Sequence, residues 1–256
     1  MIARDRENDR TRELSSRIPA DWQEQILADR ARALALTPVS RETAERLDRF
    51  VALLIHWQQR MNLVSRSTLP TIWTRHVADS LQLLTLAPGA RTWVDLGSGG
   101  GFPGIVIACA LVGISGAKVH LVESSTKKAV FLREAVRATE VPAEIHAIRI
   151  VDFVQNLRDP VEVVTARALA PLSELLTEAY PLLKTGAMGI FPKGQDVEAE
   201  LTQATKCWNI QASLAPSRTE PKARIVVIES IEPKLQPMRA SARRANKPHR
   251  SRKRLS

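Results

Sequence analysis

The hydrophobic positions divide the chain into a helical part and a part in which strands and helices alternate. In the first part, apolar residues recur every three or four positions, as they do on one face of an amphipathic helix. Ser40 is the predicted N-cap of the second helix, and the Pro-Gly pair at 88–89 ends the helical part. The pattern predicts helices at 20–36, 40–59 and about 69–86.

After this pair, short β-like runs alternate with helical runs. The predicted strands are 91–96, 118–123, 144–150, 161–166 and 187–191, and the predicted helices are 105–112, 125–139, 172–183 and 196–208. Strands that are joined by helices run parallel in one sheet. Two final runs, 210–214 and 223–231, have no helix between them and predict an antiparallel hairpin at the sheet edge. The expected fold class is therefore α/β, with a Rossmann-like, seven-stranded, mostly parallel sheet.

The basic residues are unevenly distributed along the chain. The 256 residues carry a net charge of +10, but residues 233–256 contain nine Lys and Arg and no acid. The first 232 residues hold 28 basic and 27 acidic side chains, a net charge of +1. We expect a flexible N-terminus at 1–19, a helical extension at 20–90, a catalytic domain at 91–232 and a disordered basic tail at 233–256. The tail either binds a polyanion such as nucleic acid or merely keeps the protein soluble.

Several classes of protein do not fit the sequence. No apolar run reaches the 18 or more residues of a membrane span, and the charged N-terminus has no hydrophobic region of a secretory signal. A cytoplasmic protein that does not bind membranes is therefore expected. Cys109 and Cys207 are too few for a disulfide framework and lack the spacing of zinc ligands, so no metal is expected either.

A glycine-rich loop follows the first predicted strand. Five of the 11 glycines of the chain lie within residues 97–104. In a doubly wound sheet, ligands bind beyond the carboxyl ends of the strands, and glycine lets the backbone approach a ligand closely. A ligand-binding loop is therefore the favoured interpretation, with a tight strand-to-helix turn as the alternative.

Two classes of cofactor fit this loop. The segment 97–104 satisfies the pattern G-x-G-x-x-G of dinucleotide-binding proteins. Asp95 and Pro103 favour S-adenosylmethionine instead, because the carboxylate can meet a cationic amino-acid group and the proline stiffens the turn where a pyrophosphate needs free N–H groups. Glu123 ends the second strand, where an acid accepts hydrogen bonds from the ribose of either cofactor.

Several segments in the same order resemble one enzyme family. They are MNLVS, RHVADSL, VDLGSGGGFPGIVIA, LVESSTKKAVFLRE, VVTARALAPL and FPKG. Over about 41–231 the chain resembles the RsmG or GidB family of small-subunit ribosomal RNA methyltransferases. The resemblance implies a class I S-adenosylmethionine-dependent methyltransferase with an N-terminal helical extension. It also implies methyl transfer to N7 of a guanosine in the 530 loop of 16S ribosomal RNA, with that RNA or a small-subunit assembly intermediate as the partner.

The resemblance also assigns residues to the site. The positions expected at the cofactor are Gly97, Gly99, Phe102, Glu123, Ile150, Val151 and Arg167. The planar guanidinium of Arg167 could hold the cofactor carboxylate, or it could hydrogen-bond guanine O6 or a phosphate instead. Ile150 and Val151 are expected to lie along the adenine. Lys193, Arg75 and His76 are assigned to the substrate RNA, with Asp79 beside them over the site. For the charged residues and His76, an ion pair or a packing role is the alternative.

No catalytic side chain is expected for this reaction. Guanine N7 carries a lone pair and no proton at neutral pH, so positioning and desolvation suffice for attack on a sulfonium methyl group. Methylation of a pyrimidine C5 would need an activated cysteine, and we expect Cys109 and Cys207 to be structural. The alternatives are another S-adenosylmethionine or NAD enzyme and a non-catalytic ribosome-assembly factor. Cofactor binding and methyl transfer to RNA distinguish them.

Overall fold

The protein was analysed as a computed structural model, which describes residues 20–234. The predicted N-terminal segment and most of the predicted basic tail lie outside the described residues. Pro233, where the tail was expected to begin, belongs to the last strand. Between residues 20 and 234, no helix is both long and apolar enough to cross a membrane.

Two regular helices open the described chain, as the periodicity predicts. They are α1 (Ala20–Leu36) and α2 (Arg41–Gln58). The Ser40 hydroxyl caps α2 by accepting a hydrogen bond from the Thr43 N–H at 3.2 Å, which confirms the predicted N-cap. α2 buries Leu47, Phe50 and Leu54 on one face, because positions three and four apart share a side of the helix.

The third predicted helix is present, but it is not a regular α-helix. Residues 66–85, here called the irregular helical segment, pass through four different turns. They are a 3₁₀ turn (Arg66–Thr71), a π turn (Trp73–Ala78), an α turn (Asp79–Leu81) and another 3₁₀ turn (Gln82–Thr85). Pro70 has no N–H to continue an α-helix, and the carboxylate of Asp29 on α1 accepts the Thr74 N–H at 2.9 Å. Arg75 and His76 lie in the π turn.

Seven strands form one sheet in the order β3-β2-β1-β4-β5-β7-β6. Their bounds are β1 (Thr92–Leu96), β2 (Lys118–Val122), β3 (Ala143–His146), β4 (Val163–Thr165), β5 (Met188–Lys193), β6 (Trp208–Pro216) and β7 (Arg224–Pro233). β1 to β5 are parallel. β7 pairs antiparallel with both β5 and β6. The predicted α/β fold class and the closing hairpin are confirmed.

Five further helices connect the strands. They are α3 (Gly104–Ala110), α4 (Thr126–Thr139), α5 (Ile150–Asn156), α6 (Leu172–Leu183) and α7 (Val197–Ala204). α5 was missed, and the predicted strand 144–150 was too long. The apolar residues around Ile150 alternate as in a strand, but Phe153, one helical turn later, is the position that is buried. The predicted helix 196–208 was also too long, since Trp208 begins β6.

Two apolar clusters cover opposite faces of the sheet. Trp93 and its neighbour Val94 on β1 belong to different clusters, because successive strand residues point to opposite faces. α2, α3 and α4 pack on the first face, where the Phe50 ring lies 5.1 Å from Phe102. The helical part therefore shares a core with the sheet and lies against the glycine loop.

Candidate functional site

The glycine loop begins where β1 ends and turns beside the end of β2. The N–H groups of Gly97 and Ser98 both donate to the Val122 carbonyl, at 2.9 and 3.0 Å. Gly97 has φ +70°, and a Cβ there would lie 2.6 Å from Cδ1 of Leu169. The left-handed backbone favours glycine at this position, and any larger residue would also have to displace the end of the Leu169 side chain.

Glu123 holds the loop through its carboxylate. The side chain is buried, one oxygen accepts the Gly99 N–H at 2.9 Å, and the other accepts the Ser125 N–H at 2.7 Å. Each carboxylate oxygen has two lone pairs, so each retains one for a ligand. The sequence predicts that Glu123 lies at the end of the second strand. Its hydrogen bonds to the glycine loop and to the start of α4 are visible only in the structure.

Asp95 lies beneath the same loop and is fully buried. Its Oδ2 accepts the Gly104 N–H at 3.1 Å, whereas its Oδ1 has no hydrogen-bond partner within residues 22–234. Burial raises the pKa of Asp95 to about 7, although the Ser98 hydroxyl, the Gly104 N–H and the positive charge of Arg167 act in the opposite direction. The free oxygen can accept a hydrogen bond from a donor or a cation.

A guanidinium, an imidazole and a phenyl ring are packed together beside the loop. Nη2 of Arg167 donates to Nδ1 of His76 at 2.5 Å, and Nη1 donates to the Arg75 carbonyl at 3.1 Å. Nη1 also lies 3.5 Å from the Asp79 carboxylate. The guanidinium carbon is 5.4 Å from the centre of the Phe102 ring, on which His76 stacks at 5.0 Å. Phe102 is therefore the platform that orients both side chains.

These contacts fix the protonation of His76. Arginine has donors and no acceptor, so Nδ1 of His76 accepts and the ring proton lies on Nε2. That N–H faces the Thr68 hydroxyl at 2.9 Å, which in turn donates to the Ser65 carbonyl at 2.8 Å. Burial, followed by the positive charges of Arg167 and Arg75, lowers the pKa of His76 to about 3. His76 is neutral at pH 7, and both of its nitrogens are already engaged.

A cleft of about 710 Å³ opens at the carboxyl ends of β4 and β5. Its walls come from the irregular helical segment, the 167–171 loop, the end of β5, the start of α7 and the turn between β6 and β7. Four basic and four acidic residues line it: Arg75, Arg167, Lys193, Arg224, Asp79, Asp196, Glu200 and Glu220. The four positive and four negative side chains balance, so the cleft is not a strongly basic groove.

Lys193 and Arg75 line the cleft, but both are held by protein groups. Nζ of Lys193 donates to the Ala170 carbonyl and to the Glu200 carboxylate, each at 2.8 Å. Glu200 also accepts the Leu172 N–H at 2.6 Å. Arg75 forms an ion pair with Glu220 at 2.7 Å on the rim. Lys193 therefore fixes the 167–171 loop in place.

Ile150 and Val151 differ in their surroundings. Ile150 packs against the second apolar cluster, whereas Val151 is 52% exposed on the first turn of α5. Ile148, just before this turn, is also exposed. β3 ends beside Glu123, whose N–H donates to the His146 carbonyl at 3.1 Å. Val151 and Ile148 thus supply an apolar surface at this edge, and the sequence predicted only the former.

The structure brings the predicted residues together in two groups. The glycine loop and Glu123 form one group. Arg75, Arg167 and Lys193 form the other around the cleft, and His76 lies against Arg167. Leu169 joins the two groups, because it lines the cleft and also lies against Gly97. Sequence reasoning missed Leu169 and Glu200, which carry no local signal beyond their place after the predicted strands.

Comparison with known proteins identifies the family. The family model described as "rRNA small subunit methyltransferase G" matches residues 43–225. The chain belongs to this family. A relative in Bradyrhizobium sp. strain BTAi1, named Ribosomal RNA small subunit methyltransferase G, is 61% identical over 207 residues, which cover 81% of this chain and 93% of the relative. One of the same name in Nitrobacter hamburgensis is 60% identical and covers 80% and 79% of the two chains. The family resemblance seen in the sequence is thereby confirmed.

A solved structure supports the fold of this family member. The O-methyltransferase from Bacillus cereus, in complex with SAH, matches with a TM-score of 0.52 and 17% sequence identity. The match covers 82% of this chain and 100% of the other. At this identity the likeness shows the class I methyltransferase fold and nothing further.

Proposed function

We propose that this chain transfers a methyl group from S-adenosylmethionine to N7 of a guanosine in the 530 loop of 16S ribosomal RNA. Membership of the rRNA small-subunit methyltransferase G family supports RNA as the substrate. The observation that carries the proposal is the contact of Leu169 with both the glycine loop and the cleft. This contact supports a methyl donor at the loop with the substrate base next to it in the cleft.

The glycine-loop residues fit S-adenosylmethionine. The remaining lone pairs of Glu123 accept the ribose hydroxyls, and the partnerless Oδ1 of Asp95 accepts the cationic amino group. Val151 offers an exposed apolar surface to the adenine. When bound, the cofactor supplies an electrophilic methyl group on a sulfonium. The residues of the chain bind it, orient it and exclude water.

The protonation of the cleft favours an acceptor atom that has no proton to lose. A general base needs a free lone pair near the acceptor. His76 is neutral, but its Nδ1 accepts from Arg167 and its Nε2 carries the proton. Lys193 is bound to Glu200. Guanine N7 attacks through its lone pair without deprotonation, so it is compatible with a cleft in which His76 and Lys193 are both occupied.

Arg167 is the group that we expect to orient the guanine. A guanidinium has five N–H donors, and its three recorded contacts use at most three of them. The remaining donors can bind O6, which neighbours N7 on the same edge of the base. Methylation makes the guanine positive, and the nearby Asp79 carboxylate offsets the charge of Arg167. Arg167 thus orients the base without strongly opposing the reaction.

Position-resolved mapping of the product tests the proposal. The purified protein is incubated with S-adenosylmethionine and with either naked small-subunit RNA or small subunits that lack the modification. We expect one N7-methylguanosine in the 530 loop. Arg167→Lys should lower kcat at saturating cofactor, whereas Arg137→Lys, on the exposed face of α4, should not. Methylation of another nucleotide or of an exocyclic amine would refute the assignment of N7.

A further inference from the structure

Three side chains at the far edge of the sheet form a cluster that the proposed reaction does not use. His120 lies on β2, and Glu144 and His146 lie on β3. β2 and β3 are parallel, with His120 beside Glu144, and residues two apart share a face of the sheet. One nitrogen or oxygen from each of the three side chains lies within 4.8 Å of the others.

We propose that His120, Glu144 and His146 bind one divalent transition-metal ion, with zinc as the best match. Two imidazoles and one carboxylate form a ligand set that zinc uses. Nδ1 of His120 and Nε2 of His146 are 3.0 Å apart, and Oε1 of Glu144 is 3.9 Å from the same Nε2. Two nitrogens on one tetrahedral zinc ion lie about 3.3 Å apart, given bonds of about 2.0–2.1 Å. The two nitrogens would have to move apart by a few tenths of an ångström, and the half-exposed Glu144 carboxylate would have to turn towards them to complete the site.

The second nitrogen of His120 is an independent sign of this site. The His120 side chain is 1% exposed, and its Nε2 has no hydrogen-bond partner within residues 22–234. The nearest carboxylate oxygen recorded for it is Oδ2 of Asp159, at 3.8 Å. When the metal takes Nδ1, the proton lies on Nε2 and faces this carboxylate. A metal-bound histidine usually donates its other N–H to a carboxylate in this way.

The charges around the cluster suit a cation. Lys118 binds Oε2 of Glu144 at 3.1 Å and Oδ2 of Asp159 at 2.7 Å. The two carboxylates of Glu144 and Asp159 against the one ammonium of Lys118 leave a net charge of −1 next to the imidazoles. Lys118 occupies Oε2 of Glu144, so Oε1 is the oxygen available to the ion.

Binding would tie the edge strand β3 to β2 close to Glu123. The Glu123 N–H donates to the carbonyl of the metal ligand His146 at 3.1 Å. The ion would therefore have a structural role next to Glu123, the residue that we expect to bind the cofactor ribose. The sequence predicted no metal because the ligands lie on two strands 26 residues apart, where no local spacing marks them.

Titration of the full chain with metal ions tests this site without RNA or cofactor. Cys207 is an exposed thiol, so Cys207→Ser serves as the parent protein. We expect calorimetry to show one zinc ion per chain, and cobalt to give the visible absorption of a tetrahedral site with nitrogen and oxygen ligands. His146→Ala and Glu144→Gln should each weaken binding at least tenfold. His56→Ala, on α2, is the matched control and should bind as the parent does.

Two results would overturn the proposal. One is the absence of saturable zinc binding by the parent, and the other is equal affinity in the parent and in His146→Ala. Glu144 is half exposed, so Glu144→Gln keeps the test valid even if a histidine variant fails to fold. Because no methyl transfer is measured, failure of this site is distinct from failure of the proposed function.

Discussion

Asp95 should make the stability of the protein fall as the pH rises through neutrality. Its carboxyl group is fully buried, and burial raises its pKa from 3.8 to about 7. The folded protein therefore holds this proton more tightly than the unfolded chain does. The stabilisation is complete below the unfolded pKa and is lost as the pH rises through the folded pKa.

The two pKa values give the magnitude. A difference of about three pKa units corresponds to about 4 kcal/mol over the whole titration, at about 1.4 kcal/mol per pKa unit. Between pH 5.5 and 8, the titration of Asp95 lowers the free energy of unfolding by about 2 kcal/mol. Asp95→Asn removes the titration but keeps an oxygen that can accept the Gly104 N–H. Over this pH range, the free energy of unfolding of the variant should therefore fall by about 2 kcal/mol less than that of the parent protein.

Urea unfolding of the cofactor-free protein at several pH values measures this difference. Far-ultraviolet circular dichroism gives the free energy of unfolding at each pH. Asp196→Asn removes an exposed carboxylate and should keep the pH dependence of the parent. Parallel curves for the parent and Asp95→Asn would show that Asp95 does not titrate in this range and would refute the reasoning.

Four further predictions concern the proposed function. Gly97→Asp should abolish S-adenosylmethionine binding in a folded protein, since φ is +70° and a Cβ would lie 2.6 Å from Leu169. Calorimetry measures the affinity for S-adenosylmethionine. An unchanged affinity would show that the loop does not bind the cofactor. Glu123→Ala should weaken cofactor binding by about 1–3 kcal/mol, and an unchanged dissociation constant would contradict its role. Lys193→Ala should lower methyl transfer at saturating cofactor and leave cofactor affinity intact, because the substitution releases the Ala170 carbonyl. An equal loss of cofactor affinity would assign Lys193 to the cofactor instead. Truncation after Lys234, which keeps β7 and removes eight basic residues, should flatten the salt dependence of RNA association, and an unchanged slope would show that the tail is a solubilising segment.

The order of the elements could be predicted from the sequence because it depends on local patterns. Ser40 caps α2 as expected, and the glycine loop begins directly after β1. Local periodicity failed where tertiary contacts decide the conformation. The irregular helical segment is shaped by Pro70 and by the hydrogen bond from Thr74 to Asp29, and only the proline is visible locally.

The candidate site shows the same division. The residue types at strand ends could be predicted, since the carboxyl ends of parallel strands meet at one edge. Their partners could not, because Arg167 and His76 are 91 residues apart in the chain and Gly99 and Glu123 are 24 apart. Lys193 illustrates the consequence, since the sequence shows a free cation after a strand and the structure shows one bound to Glu200.

The position of β7 sets an order of events during synthesis. β7 is the last strand to be made, yet it lies between β5 and β6 in the sheet. Until it emerges from the ribosome, the outer edge of β5, with the apolar Ile190 and Phe191, has no strand to pair with. Unpaired edges of this kind are prone to aggregation. The turn before β7 also supplies one wall of the cleft, so a nascent chain closes its sheet and completes this cleft in the same late step.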